Sequence, residues 1–101
     1  VYYKKSSFNA LGQTYMKRTG EYSVVCAILN MWLTARALNI GMGWVSILKP
    51  KKINKIFNMN KNQYKFIAYL CLGYTKEFYD EPELKKLKWN KKLKLDECLI
   101  S

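Results

Sequence analysis

The chain predicts an α+β fold that is incomplete in itself. Three observations lead there. Residues 21 to 38 carry a long helical signal, and residues 64 to 74 carry a strong strand signal. No second strand signal of that strength exists to pair with it, yet buried backbone N–H and C=O groups require partners. The missing strands are therefore expected from upstream sequence or from a second chain. The first residue is valine, and the opening "VYYKKSSFNALGQ" shows no clear period. Residues 1–101 are accordingly expected to form the C-terminal part of a single domain, its N-terminal half being absent.

The helix "EYSVVCAILNMWLTARAL" is apolar almost all round, which predicts burial on most of its sides. Ser23, Asn30, Thr34 and Arg36 within so short a run argue against a membrane span. Ser23, Asn30 and Thr34 lie seven and four residues apart and form one line with Ala27. Such a seam needs hydrogen-bond partners, from neighbouring backbone or from a ligand or subunit. Asn39 and Gly41 read as the helix stop. Gly43 then supplies either a second unusual backbone angle or room for a close approach.

Pro50 suits the first turn of a short helix, "PKKINKIFNM", with Ile53, Ile56 and Phe57 on one face. "NMNKNQ" reads as a loop. "YKFIAYLCLGY", 64 to 74, is apolar on both alternating faces, as for a central strand covered from two sides. In "KEFYDEPEL", Pro82 opens a short helix that Asp80 and Glu81 are placed to cap. The tail "KWNKKLKLDECLI" alternates lysine with leucine, and is expected to lie along another part of the protein or another subunit.

Half of the residues are apolar and 15% are aromatic, which is a globular composition. The formal charge is +11, and 16 of the 18 basic residues are lysine. An AT-rich coding sequence would produce that excess; so would a partner rich in phosphate. Six lysines with Trp89 among them fall between Lys85 and Lys94, a pattern that suits single-stranded nucleic acid. Leu87, Leu93 and Leu95 and the lack of a nucleic-acid motif point instead to packing, so no nucleic-acid partner is expected. The chain has no histidine, which removes the usual triads and zinc sites, and no metal site is expected. Cys26, Cys71 and Cys98 lie far apart in apolar company. They read as buried reduced thiols in a cytoplasmic setting.

"EYSVVCAILNMWLTARALNIGMGWVSIL", "IAYLCLGYTKEFYDEPELKKLKW" and "KKLKLDECL" together resemble the C-terminal half of the BluB-type 5,6-dimethylbenzimidazole synthases, in the flavin-dependent nitroreductase superfamily. The match runs from about Tyr22 to Leu99, with the motifs in the family's order. The resemblance implies a partial nitroreductase-like, FMN-dependent α+β fold completed as an intertwined homodimer, with FMN at the subunit interface. It also implies the reaction: reduced FMN reacts with O2 and is broken up to 5,6-dimethylbenzimidazole, the lower ligand of vitamin B12. NAD(P)H is a candidate reductant.

The family's flavin-facing turn maps to Gly43, Trp44, Val45 and Ser46. Backbone N–H groups near the flavin N5 and O4 edge suit the charge that develops there, and side chains would block that approach. The resemblance gives Ser46 the catalytic role, as hydrogen-bond partner of flavin N5 or of a flavin–oxygen adduct; a local turn hydrogen bond is the alternative. Lys91 and Lys92 stand where the family places basic residues that reach the FMN phosphate. Lysine holds a phosphate as a point charge without arginine's fork, so weaker flavin retention is expected. Arg18, Arg36, Glu21 and Asp80 do not match the family's phosphate-binding arginine or catalytic aspartate. Those are expected in the N-terminal half. A general NAD(P)H-dependent nitroreductase is the second enzymatic reading, and a basic nucleic-acid-binding module is the alternative of another class.

Overall fold

A computed structural model of the chain describes residues 1–5 and 15–100. Its elements are β1 (Tyr2–Lys4), α1 (Thr19–Ala37), β2 (Ile40–Val45), α2 (Pro50–Ile56), β3 (Tyr64–Phe66), β4 (Tyr69–Tyr74), α3 (Glu83–Lys86) and α4 (Leu95–Cys98). The mixed helix and strand content fits the α+β expectation.

The helix signal is confirmed with ends two residues earlier and one residue earlier than read. Glu21 lies in the first turn of α1 and Arg36 in the last, each favourable to the helix dipole. Asn39 closes the helix in the left-handed region, with φ 58, and donates its N–H to the Arg36 carbonyl at 3.1 Å. Gly41 has no part in that stop, because the chain enters β2 at Ile40. The two hydroxyls of the polar seam are satisfied within the helix: Ser23 Oγ donates to the Thr19 carbonyl and Thr34 Oγ1 to the Asn30 carbonyl.

The apolar run 64–74 is not one central strand. It breaks at Ile67 and Ala68 into β3 and β4, which belong to different two-stranded sheets. β1 pairs antiparallel with β3, Tyr3 opposite Lys65. β2 pairs antiparallel with β4, Gly41 opposite Gly73 and Gly43 opposite Cys71. The strand partners expected from elsewhere thus include two from this chain. β1 lies in the stretch that showed no period; residues 6–13 of that stretch lie outside the described residues. The Val1 backbone sits at the break: its nitrogen lies 2.7 Å from the Ala68 carbonyl oxygen, and its carbonyl accepts the N–H groups of Ile67 and Ala68.

Pro50 occupies the start of α2 as expected, but the helix ends at Ile56, with Asn58 in the left-handed region. Pro82 itself is the N-cap of α3, and neither Asp80 nor Glu81 caps it. Glu81 instead pairs with Lys85 at 3.1 Å, one helical turn on. In α4 the Glu97 carboxylate accepts the Lys94 backbone N–H at 3.0 Å.

The core is small. Among the described residues, Ile28 and Ala35, two turns apart on α1, and Ala68 are the buried apolar side chains. Burial of α1 on most sides is therefore not met within one chain: one face packs on β2 while Leu29 and Leu33 stay exposed. The three cysteines are likewise exposed rather than buried. The tail from Leu87 to Ile100 is exposed throughout and lies along no other described element. The accessible surface is 9481 Å², against about 6,000 Å² for a compact monomer of this mass. The radius of gyration is 17.1 Å, against about 13 Å for a compact domain of this length. Both differences say that surfaces meant for burial are open.

Candidate functional site

The stretch around Gly43 is a strand rather than a turn. Among the described residues β2 has a partner strand, β4, on one side only, so alternate residues of β2 hold N–H and C=O groups that β4 does not satisfy. Its two glycines do different work. A Cβ built on Gly41 would collide with Thr75 Cγ2 and come within 3.3 Å of the Gly73 carbonyl oxygen. Gly41 is therefore required by close packing across the facing Gly41–Gly73 pair. A Cβ on Gly43 would meet nothing within 4 Å. That position opens onto space.

The space is a cavity of about 790 Å³. One side is the end of α1, with Trp32 and Arg36; the floor is the β2–β4 ribbon at Gly41, Gly43 and Cys71; the outer wall is the segment 77–83. Arg36 joins wall to helix. Its guanidinium carbon lies 3.8 Å from the Phe78 ring centroid, a cation–π stack. Sequence reasoning set Arg36 aside, since no local pattern links a helix end to an aromatic 42 residues later.

Trp44 and Val45 complete β2, each 37% exposed, and Ser46 follows the strand end, also exposed. Neither these three nor the lysines of the tail line the cavity at Gly43. Along a strand, Ser46 is about 10 Å from Gly43 at the usual rise per residue. The Ser46 carbonyl accepts the Leu48 N–H at 2.9 Å, while its hydroxyl has no partner among the described residues.

Lys91 and Lys92 lie in a different hollow of about 580 Å³, shared with Asp80, Glu81 and Lys85. The two hollows adjoin at Glu81 and Pro82, which line both. The single chain thus does not bring the two lysines to Gly43 or Ser46. As arranged here, a phosphate at Lys91 and Lys92 would also face two carboxylates. On the opposite side of the ribbon an apolar hollow of about 580 Å³ is lined by Met31, Ile53, Phe57, Phe66 and Leu70. Among the described residues no cluster of three or more His, Cys, Asp or Glu could hold a metal ion, and no helix is long and apolar enough to cross a membrane.

A long helix packed on a ribbon of antiparallel strands, with an open glycine on the strand beside a cavity, defines a mixed α+β protein. The chain belongs to the nitroreductase family, whose model matches residues 3–74. It is also similar to curated proteins named 5,6-dimethylbenzimidazole synthase. That of Rhodospirillum rubrum is 43% identical over 81 residues, covering 80% of this chain and 38% of the relative. One from Rhodobacter capsulatus is 36% identical over 85 residues, covering 84% of this chain and 41% of the relative. The chain therefore spans about two fifths of the length of the curated relatives it matches.

Proposed function

We propose that this chain is the C-terminal part of a 5,6-dimethylbenzimidazole synthase, a cytoplasmic oxidoreductase that converts reduced FMN with O2 to the lower ligand of vitamin B12. The observation that carries the reading is the 43% identity to a protein of that name over four fifths of the chain. The residues present are compatible with a flavin: Gly43 has no atom where a side chain would stand, and the Ser46 hydroxyl is unengaged.

In this reading the reduced flavin supplies both the electrons and the carbon skeleton of the product. The chain supplies orientation. Gly43 lets a planar ring approach the strand, and the neighbouring backbone at Trp44–Val45 offers an amide donor on the side away from β4 to its polar edge. Ser46 Oγ would accept a hydrogen bond from the N5–H of the reduced ring, or donate one to a flavin–oxygen adduct, and so fix the ring's register on the strand. Lys91 and Lys92 hold the phosphate once the tail has moved away from Asp80 and Glu81, or from the tail of a second copy. Surplus exposed surface supports a homodimer in which each chain completes the other. The aspartate and arginine of the family's site come from the N-terminal half.

The test is product formation. The complete protein, given FMN, NAD(P)H and O2, is expected to release 5,6-dimethylbenzimidazole, identified by mass. The family match alone favours the second reading, a general NAD(P)H-dependent nitroreductase. Flavin that returns unaltered while nitro compounds are reduced would establish that instead.

A further inference from the structure

We propose that Arg36 is a positioning residue: it holds the segment 75–83 as the outer wall of the cavity at Gly43, and through that wall sets how tightly a ligand is retained. The ligand part rests on the flavin reading above; the wall part does not.

Four observations meet on this residue. Arg36 lies in the last turn of α1, the longest element, next to the buried Ala35. Its guanidinium lies over Phe78 at 3.8 Å and makes no ion pair among the described residues. Phe78 is half-buried in a segment that is otherwise exposed from Thr75 to Glu83. Finally, that segment has no regular structure and no backbone hydrogen bond to another element from Lys76 to Glu81. An irregular stretch without such bonds opens cheaply; its other side-chain contacts, Lys86 over Tyr79 and Lys85 with Glu81, run to the adjoining α3, so the contact that ties it to α1 is Arg36 with Phe78. A cation over a ring suits this task, because it is directional and survives partial exposure to water better than a lone apolar contact. The wall it holds carries Glu77, Glu81 and Glu83 into the cavity lining, so the Arg36 charge also offsets a local excess of carboxylates.

Two measurements test this, the first needing no flavin. Chymotryptic cleavage after Tyr79, a bond present in every variant below, followed by mass spectrometry, reports the open fraction of the wall. Arg36→Met keeps the stem and removes the charge. It is expected to speed cleavage there roughly fivefold, the value of an exposed cation–π contact. Arg36→Lys restores most of the protection. Phe78→Leu, which leaves the helix untouched, matches Arg36→Met, and the double variant adds nothing further. Unchanged cleavage in Phe78→Leu, or equal cleavage in the Lys and Met variants, overturns the wall assignment. Helix content by circular dichroism is read alongside, and if Arg36→Met loses α1 then Phe78→Leu decides.

The second measurement is FMN affinity of the complete protein, expected to fall in Arg36→Met and to recover in Arg36→Lys. A wall that loosens with unchanged affinity overturns the link to ligand retention. A complete wild-type protein that takes up no flavin overturns the reading of function instead, and leaves the cleavage result to stand.

Discussion

Lys65 and Glu21 tie β3 to the first turn of α1: the lysine Nζ lies 3.0 and 2.9 Å from the two carboxylate oxygens. The contact joins residues 44 apart in sequence and is one of few long-range polar links in a chain whose core is three small or medium side chains. The lysine side chain is 47% exposed, so water and salt screen the pair. Glu21→Gln is expected to lower stability by less than about 1 kcal/mol. A double-mutant cycle with Lys65→Met, run by urea unfolding at low and high salt, checks it, the coupling shrinking as salt rises.

The two glycines of β2 are predicted to respond in opposite ways. Gly41→Ala places a methyl against Thr75 Cγ2 and the Gly73 carbonyl, and is expected to cost about 1–3 kcal/mol through overpacking. Thr75→Ser, which removes the offending methyl, should recover part of that loss. Gly43→Ala meets open space and should leave thermal unfolding nearly unchanged. In the complete protein the same Gly43→Ala change is expected to weaken FMN binding. Calorimetric melting and flavin titration separate the two effects.

That division of labour was only half legible in the sequence. Residues 21–38 announced α1 by length and continuous apolar character, and Asn39 and Pro50 marked the helix stop and start correctly. "NIGMGWV" read as a turn because glycine usually marks one; that Gly41 stands opposite Gly73 is a matter of register, invisible locally. The break at Ile67 and Ala68 was hidden for the same reason. An unbroken apolar run has no period to interrupt, and the backbone contacts at the break come from Val1, which is distant in sequence. Of the candidate site, the motif residues 43–46 do fall consecutively at one strand end, but the meeting of Arg36 with Phe78 is purely tertiary.

Lys91 and Lys92 provide a test specific for phosphate. The double variant Lys91→Ala with Lys92→Ala is expected to weaken FMN binding to the complete protein roughly tenfold or more, as for loss of a charge-assisted hydrogen bond. Riboflavin, which lacks the phosphate, should bind as before. Equal losses for both ligands would remove the lysines from phosphate binding. Because both lysines are exposed and neither side chain makes a hydrogen bond or ion pair among the described residues, the unfolding midpoint of this chain should hardly move.

Leu29 and Leu33 sit one turn apart on the open face of α1, 57% and 62% exposed. If that face meets a second copy, Leu29→Glu with Leu33→Glu should convert dimer to monomer in sedimentation measurements of the complete protein. Within one chain the same changes expose no new apolar surface and should alter helix content little. A dimer that survives both charges places the interface elsewhere.

The lysine coat acquires a further meaning beside so much open apolar surface. Eleven net positive charges on a molecule of 11.9 kDa make copies repel one another before their oily faces can meet. Dispersal of this polypeptide therefore depends on the ions around it: at low ionic strength it stays in solution, and as added salt shortens the reach of that repulsion, clumping should set in well below the concentrations that precipitate ordinary globular proteins.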